Sequence, residues 1–90
     1  MSYPDENELV WMVKRVADRD EWLGFVRMKD GGAWIISGPT GSHRTGHGES
    51  WEKKYNTLLA EGYLVGGKPR CLPSMDWNDV EFLRMNGIEI

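Results

Sequence analysis

The amino-acid sequence predicts a mixed α+β fold in one small domain that spans residues 1–90. Apolar residues recur at helical spacing in two separate segments, and an Asp-Gly-Gly turn joins two further apolar segments. The chain has 90 residues, of which 40% are hydrophobic, so it can form one core without a second domain. The expected order is helix, β-hairpin, glycine-rich loop, helix, short strand and helix.

The first predicted element is a helix from Ser2 to Asp18. Four apolar residues repeat there at the spacing of one helical face: Leu9, Met12, Val13 and Val16. Pro4 suits the first turn of a helix, and the acidic residues that follow it suit the positive end of the helix dipole.

The next two elements are a hairpin and a loop. Residues 22–38 predict a β-hairpin, because two apolar segments flank Lys29-Asp30-Gly31-Gly32, which supplies the positive-φ positions of a tight turn. Residues 38–49 contain four glycines and no large apolar residue, so they are predicted to form a mobile loop.

The second half of the chain predicts two helices with short strands. Ser50 is expected to cap a helix that ends at Gly62. Its apolar face consists of Trp51, Tyr55, Leu58 and Leu59. A short strand follows at residues 63–65, with a candidate return strand at 70–72. The last predicted helix runs from Trp77 to Met85, and Gly87 terminates it. An edge strand is predicted at residues 88–90.

Composition limits the expected function and location. The formal net charge is −3, and the middle segment, residues 38–72, holds five basic and three acidic side chains between two acidic ends. Dedicated nucleic-acid-binding domains are usually far more basic. No stretch approaches ~20 apolar residues, and the first residues lack the order of a signal peptide, so neither a membrane contact nor secretion is expected. The single Cys71 fits a cytoplasmic location.

The segment Gly38-Pro39-Thr40-Gly41-Ser42 follows a predicted strand and resembles the first half of the phosphate-binding loop of P-loop NTPases. The second half of the motif differs. His43 stands where the loop needs its second glycine, Arg44 replaces the lysine, and Gly46-His47-Gly48 follows where a helix should begin. We therefore expect a glycine-rich connector and no nucleotide hydrolysis.

Few side chains are suited to metal binding or catalysis. His43 and His47 are four residues apart with Glu49 nearby, and Cys71 is the remaining soft ligand. Structural zinc normally takes four protein ligands, so we interpret these groups as solvated histidines and a small buried thiol. No set of nucleophile, base and orienting group stands out. The sequence therefore predicts no enzyme activity, no metal and no cofactor.

The segment from Lys53 to Leu64, followed by Gly67-Lys68-Pro69-Arg70, resembles the last helix and wing of winged-helix DNA-binding proteins. The resemblance implies a nucleic-acid-binding regulator that uses the helix at residues 50–62 and the basic turn at 66–70. Its phosphate contacts would be Lys53, Lys54, Lys68 and Arg70. The preceding helix of a helix-turn-helix is absent from the predicted elements, so nucleic-acid binding is the alternative function.

A protein partner is the principal expectation. On a helical N-terminus Trp11 lies opposite the apolar stripe, where it either anchors a partner together with Arg15 or is covered by a neighbouring segment. The other candidate contacts are basic residues of the loop and of the helix after it: His43, Arg44, His47, Lys53 and Lys54.

Several predicted elements are apolar on more than one face, and the chain has few other elements to cover those faces. Either the packing is three-layered, or some surface is left for a partner or a second copy of the chain. The predicted function is non-catalytic protein binding. Small proteins without a catalytic group are common among phage-encoded inhibitors of host machinery, including anti-CRISPR proteins. An inhibitor of that kind is an expectation from this base rate, and no motif supports it.

Overall fold

The fold is built on an antiparallel sheet with helices packed against it. A computed structural model describes residues 3–36, 43–45, 48–67 and 77–88. The described elements are β1 (Leu9–Val16), β2 (Arg19–Arg27), β3 (Ala33–Ile36), β4 (His43–Arg44), α1 (Trp51–Ala60), β5 (Leu64–Gly66) and α2 (Trp77–Met85). The strand order is β4-β3-β2-β1-β5, and each strand is antiparallel to its neighbours. The predicted α+β class is confirmed.

The predicted helix from Ser2 to Asp18 is wrong. Residues 9–16 form the strand β1, which pairs with β2 on one side and with β5 on the other. The five consecutive apolar residues from Leu9 to Val13 satisfy helical spacing, but they equally suit a strand that is buried on both faces. Most of them are β-branched or aromatic, which favours the strand.

A two-residue turn joins β1 to β2. Val16 pairs with Arg19, so Ala17 and Asp18 form the connection. Ala17 has a φ of 57°, a left-handed conformation that residues other than glycine and asparagine rarely adopt. Because no glycine marks this turn, sequence reasoning misses the first hairpin.

The second hairpin and both later helices lie where the sequence predicts them. Gly31 adopts a φ of 96° in the turn between β2 and β3. The Oγ atom of Ser50 accepts a hydrogen bond from the backbone N–H of Lys53 at 3.1 Å and so caps α1. Gly62 and Gly87, both with positive φ, follow the ends of the two helices.

The remaining predictions fall partly outside the described residues. The segment 38–49, predicted to be one loop, contains the two-residue strand β4, which pairs with β3. The candidate strand at 70–72 lies outside the described residues, as do residues 89 and 90 of the predicted closing strand. Neither described helix has the length and apolar composition that crossing a bilayer requires.

Two hydrophobic cores lie on opposite faces of the sheet. Successive residues of a strand point to opposite faces. In β2, Phe25 belongs to the core under α1, whereas Val26 belongs to the core under α2, and both are fully buried. Ile35 and Ile36 of β3 repeat this arrangement. The molecule is therefore three-layered, in the order helix, sheet, helix.

Candidate functional site

Trp11 is covered by its neighbours and does not project from a charged helical face. Its side chain is 7% exposed. It lies over Gly24 of β2, where an added Cβ would come within 3.3 Å of the indole ring. Of the two interpretations of Trp11, cover by a neighbouring segment is therefore correct. Arg15 is exposed near the end of β1 and pairs with Asp20 at 3.2 Å.

The two groups of predicted contact residues do not form one surface. Arg44 lies on the edge strand β4, opposite Trp34 of β3. Across the sheet, Trp34 is in register with Val26 of β2, and Val26 is in register with Leu9 of β1. Leu9 therefore lies three strands from Arg44 and six residues before Arg15. At about 4.8 Å per strand and 3.3 Å per residue, the two arginines are about 25 Å apart. Contact of either group with a partner stays a prediction.

An open depression lies where the glycine-rich segment meets the second hairpin. Its volume is about 850 Å³. The described lining is Asp30, Gly31, Gly32, Arg44, Thr45, Gly48, Glu49 and Ser50. Arg44 forms an ion pair with Asp30, and Glu49 adds a second carboxylate. With two carboxylates beside one guanidinium, the described lining lacks the net positive field that favours a phosphate.

The other predicted site residues are only partly described. Lys53 is exposed and Lys54 is half-buried in α1, whereas Lys68 and Arg70 lie outside the described residues. The strand that follows α1, which the winged-helix resemblance places before a basic hairpin, joins the main sheet beside β1.

The candidate zinc ligands also lie partly outside the described residues. His43 is half-buried on β4, while His47 and Cys71 lie outside the described residues. Within the described part of the chain, no three His, Cys, Asp or Glu side chains are grouped as metal ligands.

An apolar concavity lies along the edge strand β5. Its volume is about 400 Å³. We call it the β5 groove, and its lining is Tyr3, Pro4, Glu8, Val10, Tyr55, Leu59, Leu64 and Val65. Leu64 and Val65 are 67% and 52% exposed. β5 pairs with β1 on one side, and no described strand pairs with its other side.

Arg27 of β2 holds the segment before β1, which forms one wall of the groove. Its guanidinium donates a hydrogen bond to the carbonyl oxygen of Pro4 at 3.1 Å, and its own carbonyl accepts one from the backbone N–H of Asn7 at 2.7 Å. The guanidinium also lies 4.2 Å from the centre of the Trp51 ring. Tyr3 packs edge-to-face on two aromatic rings of α1, with centroid distances of 5.3 and 5.6 Å. Polar and aromatic contacts thus fix this wall to both the sheet and α1.

The rim of the β5 groove is negatively charged. Glu8 contributes a carboxylate to the lining, and Asp5 and Glu6 are exposed in the same segment. None of these three carboxylates forms an ion pair with another described residue. Burial raises the pKa of Tyr55 above its usual 10.0, and the nearby Tyr3 and Glu8 raise it further. The groove therefore combines apolar walls and a Tyr55 hydroxyl that is protonated at neutral pH with the Glu8 carboxylate, which forms no ion pair among the described residues.

Known proteins give no direct guide to this groove. Comparison of the chain with protein-family models, with curated proteins and with solved structures finds no match.

Sequence reasoning misses the β5 groove. The segment 63–65 is predicted as a short strand, and that prediction places no partner contact on it. Leu64 and Val65 are exposed because β5 takes the edge position of the sheet, beside a wall formed by residues almost sixty positions earlier. The one local signal is an apolar strand of three residues between two glycine-containing turns, and such a strand is equally compatible with burial.

Proposed function

We propose that this protein is a non-catalytic protein-binding module whose contact surface is the β5 groove. The observation that supports the proposal is a strand edge that no described strand covers, with exposed apolar side chains beside a concavity. Leu64 and Val65 are more than half exposed there. Grouped apolar side chains of this kind mark interaction sites, because a partner removes them from water. An inhibitory role, expected only from the base rate for small proteins without a catalytic group, stays a prediction.

The chemistry of the groove favours binding over catalysis. Its walls are mostly aliphatic and aromatic. The pKa of Tyr55 is raised from 10.0 by burial, so its hydroxyl is even further from the ionised, nucleophilic form at neutral pH than an ordinary tyrosine is. Apolar walls with a few polar groups are typical of recognition surfaces.

Substitution of Leu64 by Asp tests the proposal. A partner captured by the wild-type protein, from a lysate of the cells in which it occurs, should be lost with Leu64→Asp. Desolvating a new carboxylate in an apolar contact costs several kcal/mol. The free energy of unfolding should change by no more than about 1 kcal/mol, because residue 64 is 67% exposed. Capture is measured by mass spectrometry after nuclease treatment.

Met85→Asp is the matched control. Met85 is 79% exposed on α2 and does not line the β5 groove, so the same new charge should leave capture intact. A partner that is retained by Leu64→Asp, or that disappears on nuclease treatment of the wild type, would contradict the proposal. The second result would favour the nucleic-acid alternative.

A further inference from the structure

We infer that the occupant of the β5 groove is an extended polypeptide segment that carries Lys or Arg between apolar residues and pairs with the outer edge of β5. The inference rests on the proposed function and adds the chemistry of the partner. Three features of the described residues support it: the open edge, exposure on both faces of that edge, and the charge of the rim.

Within the described residues, one edge of β5 is unpaired. β5 pairs with β1 through Trp11, Met12 and Val13, and no described strand lies on its other side. An unpaired edge presents backbone N–H and C=O groups, with which an extended segment can form hydrogen bonds. A partner that continues the sheet therefore gains polar contacts as well as apolar ones.

Exposure on both faces of β5 favours a strand over a helix as the partner. Val65 pairs with Met12, a residue of the core under α1, so Val65 lies on the α1 face of the sheet. Leu64 pairs with Val13 and lies on the opposite face. An added strand directs alternate side chains to the two faces and covers both residues. A helix laid on one face would cover only one of them.

The charge of the rim favours a basic segment. Glu8 lines the groove, and Asp5 and Glu6 are exposed in the same segment; none of the three forms an ion pair with another described residue. A second copy of the chain, paired edge to edge through β5, would bring two such acidic walls toward each other, and each chain carries a net charge of −3. Like charges oppose that association, whereas Lys or Arg in the bound segment complements the rim.

Selection of peptides tests this inference. A library of random 12-residue peptides is displayed on phage and selected on the full-length protein, with Leu64→Asp used for counter-selection. We expect enriched sequences in which apolar residues alternate with Lys or Arg. The most enriched peptide, labelled with fluorescein, then serves as the probe for fluorescence anisotropy.

Two variations on the probe measurement separate charge from strand pairing. Glu8→Gln should weaken binding of the probe roughly two- to five-fold, the effect of one exposed ion pair. Glu52→Gln, on an exposed part of α1 outside the groove, should have no effect. N-methylation of alternate backbone amides should weaken binding in one register of the probe and not in the other, because alternate amides of a strand point to opposite sides.

Each contrary result overturns the inference in a defined way. Enriched acidic peptides, or no effect of Glu8→Gln, would overturn the charge of the partner. Apolar residues every three to four positions, or indifference to N-methylation in both registers, would overturn strand pairing. A dimer in sedimentation velocity that Leu64→Asp dissociates would replace the partner with a second copy of the chain. Failure to enrich any groove-dependent peptide also overturns the inference. The proposed function is decided separately, by whether Leu64→Asp loses the captured partner.

Discussion

At the scale of single residues, Tyr63 carries a buried hydroxyl that no described residue satisfies. The side chain is 3% exposed, and its OH has no hydrogen-bond partner among the described residues. Its ring packs in the core under α1 and faces Lys14, whose Nζ lies 5.0 Å from the ring centre. An unsatisfied buried hydroxyl costs about 1–3 kcal/mol, so the ring stabilises the fold and the hydroxyl opposes it.

Tyr63→Phe should therefore raise the free energy of unfolding at pH 7 by about 1 kcal/mol, because it keeps the ring and removes the unsatisfied group. Urea unfolding measures the change. Tyr55→Phe is the comparison, since the Tyr55 hydroxyl is not among the buried atoms without a partner. Tyr55→Phe should give no gain at pH 7. An equal gain in the two variants, or a loss with Tyr63→Phe, would contradict this account of Tyr63.

The same substitution should change the response to alkaline pH. Burial raises the pKa of Tyr63 above 10.0, with further contributions from Glu21 and Glu61. The folded chain therefore holds this proton more tightly than the unfolded chain does. The stability of the wild type is therefore unaffected by this group below the unfolded pKa and falls as the pH rises above about 10, where the unfolded chain releases the proton first. Tyr63→Phe should lose less stability than the wild type between pH 9 and pH 11. The difference between the two losses in unfolding free energy is set by how far the fold raises the pKa of this one tyrosine.

At the scale of elements, an indole holds α2 against the sheet. The Nε1–H of Trp34 donates a hydrogen bond to Oδ1 of Asp79 at 3.1 Å. The Trp34 ring stacks on Phe82, with centroids 4.5 Å apart and planes inclined by 13°. Asp79 is 1% exposed. From the sequence, its place in the first turn of α2 indicates only a favourable interaction with the helix dipole and does not predict this burial. The contact thus links β3 to α2 across 45 residues of sequence.

Trp34→Phe should lower the free energy of unfolding by about 1.5–3 kcal/mol, because it keeps an aromatic ring against Phe82 and removes the donor to the Asp79 carboxylate. Trp22→Phe is the matched control, since Trp22 is half-buried on β2 and no hydrogen bond from its indole occurs among the described contacts. Denaturant unfolding gives the free energy of unfolding of each variant, and the difference between the two losses measures the contribution of the hydrogen bond. Equal losses would show that only the volume of the indole matters.

At the scale of the whole molecule, one sheet serves two cores. Phe25 and Val26 are neighbours in β2, but they point to opposite faces and contact different helices. Loss of either core removes the support of strands that the other core also uses. The two sides of the sheet should therefore unfold together.

Val26→Ala tests this coupling. It should lower stability by about 1–3 kcal/mol and shift one transition, seen at the same denaturant concentration by far-ultraviolet circular dichroism and by tryptophan fluorescence. Phe25→Ala, on the α1 side, should behave in the same way with a larger loss of about 3–5 kcal/mol. Asn56→Ala, at an exposed position of α1, is the control and should change little. A separate early transition in Val26→Ala would show that the α2 side unfolds independently.

Local signals in the sequence were sufficient for α1, α2 and the second hairpin. A hydroxyl at Ser50, glycines after each helix and the Asp30-Gly31-Gly32 turn all act on backbone groups within a few residues. Their effect hardly depends on the rest of the fold, which is why these elements are found where they are predicted.

Only the tertiary structure decided the conformation of residues 9–16, the burial of Trp11 and the location of the β5 groove. The apolar run from Leu9 to Val13 fits a helix or a doubly buried strand, and pairing with β2 and β5 selects the strand. The groove joins the segment before β1 to α1 and β5, which lie far later in the chain. Sequence by itself determined the elements whose signals are local, because capping and turn formation involve neighbouring residues. Burial and exposure depend on which distant segments meet, and no local pattern specifies that.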